Sequence, residues 1–268
     1  LVMAIGVCLT LGLTPCATYS GMPDIVVTEP GVHKLLCGLD TSKSCGPDDL
    51  PPRVLRELSA EIAPVLTYIF NQSLVSGQLP SDWRMANIFA LHKKGALDQA
   101  ENYRPISLTS VCCKMLEHIV FSCICNYLDE NNIITPKQHG FRTGYSCESQ
   151  LILALNDWAH TLDVGSRTDV AIFDFSKAFD KVSHNHLLAK LSHIGIIGQN
   201  LNWLTNRTQR VVLNGSKSSW AWAESGVPQG TALGPLLFYC TLTISLKASP
   251  LIFVFLQMTA SCIAVSHL

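Results

Sequence analysis

Apolar residues between Gly46 and Gly77 recur at helical spacing, as Val54, Leu55, Leu58 and Ile62 and then as Val65, Leu66, Ile69, Phe70 and Leu74. Pro51 suits a first helical turn, Asp48 or Asp49 can cap it, and Gly77 stops the second stretch. From Met85 to Leu91 the chain is short, apolar and strand-like, and it runs into the basic turn His92-Lys93-Lys94-Gly95. Helical spacing resumes from Lys114 to Leu128 and from Ser146 to Leu162, the latter with Leu151, Leu155, Trp158 and Leu162 along one face. Both faces are expected in the core. Val170 to Phe173 has the composition of a buried strand and ends abruptly in Asp174, and a short helix through Leu187, Leu188 and Leu191 follows. Val211-Val212-Leu213-Asn214-Gly215 predicts a hairpin, because Asn-Gly adopts the backbone angles of a tight turn, with Trp220 and Trp222 alternating on the return strand. Helices first, then strands mixed with helices, predict an α+β fold.

Composition supports a globular chain, since 48% of its 268 residues are hydrophobic, enough for a sizeable core. Scattered Pro and Gly and the lack of an internal period exclude collagen-like and solenoid readings. The net charge of −1 is mild evidence against a freestanding nucleic-acid binder, which is usually basic. Eleven cysteines occur singly or as Cys112-Cys113 and Cys123-x-Cys125, neither of which is a Cys-x-x-Cys knuckle. Reduced, mostly buried thiols without disulfides are expected. Leu1 to Tyr19 is apolar but has no basic lead-in, so it reads as a truncated upstream segment rather than a signal peptide. The apolar run Pro250 to Val265 is short of the ~20 residues that span a bilayer.

A carboxylate at the end of a buried strand is a poor place for a merely solvated charge. Asp174 is therefore a candidate ligand for Mg²⁺, although a capping or salt-bridged aspartate fits the same position. Asp180 is expected to cap or pair locally.

Four motifs in a fixed order sharpen this picture: Asn102-Tyr103-Arg104-Pro105-Ile106-Ser107-Leu108, Gln138-His139-Gly140-Phe141-Arg142, Phe173-Asp174-Phe175-Ser176-Lys177-Ala178-Phe179-Asp180, and Ser225-Gly226-Val227-Pro228-Gln229-Gly230. Gly46-Pro47-Asp48, Trp83 with Lys93-Lys94-Gly95, Asn206-Arg207-Thr208-Gln209 and Leu233-Gly234-Pro235-Leu236-Leu237-Phe238 accompany them. Together, from about Pro23 to Phe238, they resemble the reverse transcriptases of non-LTR, LINE-type, jockey-like retrotransposons.

The resemblance implies a right-hand polymerase whose fingers region, with a helical lead-in, occupies 23–168 and whose partial palm occupies 169–238; 1–22 is left unassigned and the thumb lies outside the chain. It implies RNA template, DNA primer and dNTPs as substrates, Mg²⁺ as cofactor and no membrane partner. Asp174 would be the first metal-binding aspartate. Phe179 would be the bulky gate beneath the incoming sugar, where ordinary core packing is the alternative. Arg104 and Lys94, with Lys93 as a substitute, would hold the triphosphate through charge-assisted hydrogen bonds, where a solvated basic turn is the alternative. Gly140 and Arg142 would lie by the template. Gln229 and Gly230, with Gly226, would form the loop under the template base and incoming nucleotide.

Two departures stand out. Asn202-Trp203-Leu204-Thr205 looks like a small deletion. After Phe238 the family continues with a Leu-Tyr-Ile-Asn-Asp-like stretch and a Phe-Ala-Asp-Asp motif, whereas this chain has no Asp or Glu after Glu224. Codons compatible with Tyr239 to Ser245, read from the third base, spell Leu-Tyr-Ile-Asn-Asp-Ile, and the same shift over Phe255 to Ala260 spells Phe-Ala-Asp-Asp-Cys. The segment 239–268 is therefore expected to be an out-of-frame tail, with catalysis lost as translated. A non-catalytic nucleic-acid-binding remnant and a membrane-anchored structural protein are the alternatives.

Overall fold

The computed structural model describes residues 19–134, 139–140, 142, 144–174, 178–196, 205–246, 252–256 and 261–267, with backbone alone in 168–174, 241–246, 252–256 and 261–267. Gln138, Phe141, Phe175, Ser176 and Lys177 of the sequence motifs, and the 202–204 part of the expected deletion, lie outside the described residues.

Helix α1 (Glu29–Cys37) precedes α2 (Pro52–Glu57) and α3 (Ser59–Ser76), which break where the spacing changes and end at Gly77, whose φ of 67° is the left-handed C-cap that glycine tolerates. Neither Asp48 nor Asp49 caps α2. Pro51 is its N-cap and Pro52 its first residue, while Asp49 has φ 53°. A 3₁₀ turn, Ser81–Arg84, places Trp83 edge-on to Phe70 at 5.6 Å and leads into β1 (Met85–His92). Phe70 is fully buried, and burial of such a ring contributes roughly 1.5–3 kcal/mol.

Strand β1 pairs antiparallel with β2 (Tyr103–Thr109) and parallel with β4 (Thr208–Leu213). Asn214 and Gly215, with φ 48° and 81°, turn β4 into β5 (Ser216–Lys217), as the Asn-Gly signal predicts. The return is interrupted: β6 (Ala221–Trp222) pairs separately with the start of β4, and Trp220 falls in the gap, so the two tryptophans do not alternate on one continuous strand. A second sheet has the order β3 (Thr168–Asp174), β8 (Ser261–His267), β7 (Ile252–Leu256), all neighbours antiparallel. Helices plus mixed and antiparallel sheets make the fold α+β.

Helix α4 (Val111–Glu130) runs through the core, where its Cys113, Leu116, Val120, Ile124 and Leu128 share one buried cluster with residues of α1, α3 and two later helices, α6 (His184–His193) and α7 (Leu233–Leu246). It is long and apolar enough to cross a membrane by length and composition, but 56% of that window is buried inside the protein. Helix α5 (Cys147–Asp163) starts at a capping box between Ser146 and Ser149. Its Leu151, Leu155 and Leu162 are exposed, and Gln150, Ala154 and Thr161 point inward, a face rotated by about 100°, one residue's step, from the expected one. Leu151, Ile152 and Leu153 are consecutive, so the apolar pattern wraps around the helix and does not select a side. The described cysteines are free thiols, but only Cys112, Cys113 and Cys240 among them are buried, fewer than expected.

Candidate functional site

Three elements converge on one cleft of about 560 Å³. The first is β2, carrying exposed Arg104 at its start and Ser107 in its middle. Leu91 and Arg104 are register partners, and the Lys93 amide donates to Asn102 O at 2.8 Å, so exposed Lys93 and Lys94 occur at the same end of the hairpin as Arg104. Gly95 is required there: its φ is +87°, and a Cβ would meet the Asn102 side chain at 2.6 Å. Three cationic side chains at one hairpin end form a surface suited to polyanionic phosphate.

The second element is the turn after β3. Phe179 is partly buried, its ring 5.0 Å from that of Phe238, so it packs against the core while its residue borders the turn. Asp180 accepts a hydrogen bond from Gln229 Nε2 at 3.0 Å, and its carbonyl accepts one from the Ser225 hydroxyl at 3.2 Å. Its partners are therefore distant in sequence, contrary to the local pairing expected.

The third element is the loop Gly226 to Gly230. The Val227 amide donates to Phe179 O and the Gly226 amide to Val182 O, each at 2.8 Å, and His184 Nε2 donates to Gly226 O at 2.7 Å. Gly226 has φ +84°, and a Cβ would lie 3.0 Å from both Phe179 O and Asp180 O. Ser107 N donates to Gln229 O at 2.8 Å, which joins the loop to β2. Pro105, Ser107, Asp180, His184, Arg210 and Gln229 line the cleft together. Arg210 stacks over Trp220 at 4.3 Å and donates to Asn87 Oδ1 at 2.8 Å.

Of the sequence candidates Gln229, with Gly226, lines the cleft; Lys93, Lys94, Arg104, Phe179 and Gly230 belong to the segments around it without lining it, and the rest lie elsewhere. Arg142 donates to Asp129 Oδ1 at 2.8 Å and stacks over Tyr145 at 4.6 Å, and Gly140 is buried nearby in sequence; neither lines the cleft. Asp174 ends β3, in register with Ser261. Among the described residues no group of three or more His, Cys, Asp and Glu gathers to hold a metal ion.

Sequence reasoning did not single out His184, Glu117 or the role of Arg207. Glu117 sits fully buried in α4, and its Oε2 accepts from the Ala232 amide at 3.0 Å. Burial pushes its carboxyl up from the ordinary 4.5 to about 7, against the opposing pull of the Arg207 guanidinium and the Ala232 amide. A raised carboxyl contributes stability that is fully present below about pH 4.5 and lost as pH rises through about 7. Glu117→Gln is expected to flatten the decline in thermal midpoint between pH 5 and 8, a decline worth up to about 3 kcal/mol. An unchanged slope in the variant would assign the pH dependence to other groups. The signal in the sequence was the position itself: Cys113, Glu117, Val120 and Ile124 fall on one helical stripe, so the charge occupies a core position.

Comparison with known proteins agrees with this geometry. A family profile described as reverse transcriptase (RNA-dependent DNA polymerase) matches residues 91–256. The chain is 32% identical over 221 residues to the RNA-directed DNA polymerase from mobile element jockey of Drosophila melanogaster, covering 81% of the chain and 24% of that relative. It is 31% identical over 204 residues to the probable RNA-directed DNA polymerase from transposon BS of Drosophila melanogaster, covering 75% and 22%. With a Pol polyprotein from the type-2 retrotransposable element R2DM it shares 26% identity over 213 residues, covering 78% and 20%. The chain thus spans about a quarter of the length of these curated relatives. The profile covers more than half of the chain, so the chain belongs to the reverse transcriptase (RNA-dependent DNA polymerase) family, and the polymerases of these mobile elements are what it is similar to.

Proposed function

We propose that this chain is a portion of an RNA-directed DNA polymerase whose cleft handles an RNA template, a DNA primer and an incoming dNTP. The observation that carries this reading is the direct bonding of the Pro-Gln-Gly loop to both β2 and the Phe179-Asp180 turn. In this reading 23–168 serves as fingers and 169–238 as part of the palm. Lys93, Lys94 and Arg104 hold the triphosphate, Phe179 limits the space beneath the sugar, and Gln229 and Gly230 support the nascent pair. Gly140 and Arg142 face the template side; the 2.8 Å bond to Asp129 supports Arg142 as a rigid rather than a freely moving cation.

Asp174 is the proposed Mg²⁺ ligand. Two-metal nucleotidyl transfer needs bridging carboxylates from more than one position. This chain supplies Asp174 and no carboxylate after Glu224, and Asp180 is bonded to Gln229. The donor set does not fit a metal pair, so the chain as translated is proposed to bind template without extending it.

Binding of a labelled primed RNA template across a salt series is the test. Affinity is expected to fall linearly on a log–log plot, with a slope reduced by about one for each template-phosphate-contacting cation replaced, as in Arg142→Ala. No detectable extension is expected. Salt-independent or absent binding would refute the nucleic-acid reading, and extension by this chain would refute the inactivity.

A further inference from the structure

A charged side chain rarely enters the centre of an apolar helix face without a partner, because its desolvation costs several kcal/mol. Glu117 does so, at 0% exposure, between Cys113 and Val120 on the stripe of α4 that faces the core. Its partners come from two distant segments. Its Oε2 accepts from the Ala232 amide at 3.0 Å, and the Leu233 amide also favours the anion, both at the start of α7 where amide donors lack intrahelical acceptors. Arg207, 4% exposed, acts on it electrostatically from the residue before β4. Arg207 Nη2 lies 3.5 Å from Trp83 O, and its own carbonyl accepts from Ala223 N at 2.9 Å. Lys114 on the same helix also pulls toward the anion, and the Cys113 thiol, 4.0 Å from Oε1, has its own pKa pushed above the ordinary range by burial first and then by Glu117.

We infer that Glu117 is a positioning residue for the nucleotide loop: from inside α4 it holds the amides at the start of α7, and with Arg207 it fixes the loop Gly226 to Gly230 relative to the β4 hairpin. Its functional weight rests on the polymerase reading above, since that loop matters only if it meets substrate. The loop has bonds at its other end to Val182, Phe179 and Ser107. Glu117 supplies an anchor on the α7 side from another element, whereas Thr231 Oγ1 bonds only to its chain neighbours, donating to Pro228 O at 3.0 Å and accepting from the Gly234 amide at 3.2 Å.

The test compares Glu117→Ala, Glu117→Gln and Glu117→Met in the full chain by hydrogen exchange and by affinity for a primed RNA template. Loss of the buried acceptor for the Ala232 amide predicts at least about tenfold faster exchange in 228–236 for Glu117→Ala and Glu117→Met, with α3 unchanged. Gln keeps an acceptor oxygen and is expected to restore most of the protection. Met matches the volume without an acceptor and is expected to leave the loop loose even where it raises the thermal midpoint. Template affinity is expected to follow the exchange, falling severalfold in Met and recovering in Gln. Rescue by Met equal to rescue by Gln, unchanged exchange in 228–236, or acceleration spread equally over the chain would each overturn the inference. Absence of template binding by the wild type would defeat the polymerase reading alone, and the exchange data would still decide the anchor.

Discussion

In a chain whose reading frame is repaired after Phe238, Asp174→Asn is expected to reduce primer extension by at least about 10³-fold, because an amide cannot replace an anionic metal ligand that supplies several kcal/mol of transition-state stabilisation. Template affinity is expected to stay within about twofold, since phosphate contacts from Lys and Arg dominate that affinity. The backbone supports the assignment. Asp174 closes β3, and its register partner Ser261 opens β8. Single-turnover extension with saturating primed template is the measurement, and extension by Asp174→Asn at the wild-type rate would remove Asp174 from the metal site.

Much of this fold was readable because local signals agreed with tertiary packing. Gly77 ends α3 and Asn214-Gly215 turns β4, in each case because positive φ selects those residues. Helix α4 was legible because its buried stripe is apolar at every turn except at Glu117. Helix α5 was legible as a helix but not as a packing unit. Three consecutive apolar residues, Leu151 to Leu153, leave no unique face, and tertiary context turned Gln150 and Ala154 inward. The caps failed at Asp48 and Asp49 because Pro51 and Pro52 already set the entry angle to α2 without a side-chain acceptor.

The cleft was legible in its parts and not in its connections. Arg104, Phe179, Gln229 and Gly230 came from motif order, and the structure joins the segments that carry them through Ser107, Val227 and Asp180. No spacing rule announces the Gln229–Asp180 bond across 49 residues. His184 is similarly silent, one histidine at the start of an ordinary helix until Gly226 O is found 2.7 Å away. Arg142 illustrates the reverse. The resemblance puts it by the template, and the bond to Asp129 and the stack on Tyr145 give it a structural post as well.

The DNA encoding Phe238 to Leu268 is expected to carry Leu-Tyr-Ile-Asn-Asp and Phe-Ala-Asp-Asp in a second frame that opens within a few codons of Phe238. Two separated stretches demand the same shift. Within the second, the G ending the Met258 codon and the AC opening the Thr259 codon can spell only aspartate, and the preceding aspartate requires Gln257 to be CAG. The strand register adds an independent argument: Leu256, the end of β7, and Asp174, the end of β3, are both partnered by Ser261 at the start of β8. In the second frame the codons for residues 257–259 are expected to encode the aspartate pair, directly after Leu256 in sequence, and nucleotidyl transfer needs a second set of metal-bridging carboxylates. Backbone pairing depends little on side-chain identity, and Ile252-Phe253-Val254-Phe255 has the β-branched and aromatic composition of a strand in the translated frame too. Repairing the frame at a single position, with the coding sequence that follows, is expected to convert a template-binding chain without extension into one that extends a primer. Sequencing the stretch decides the matter first: CAA at Gln257, or a Leu242 codon of the CTN type, would spoil the motifs and leave the apolar tail as a segment of the chain in its own right.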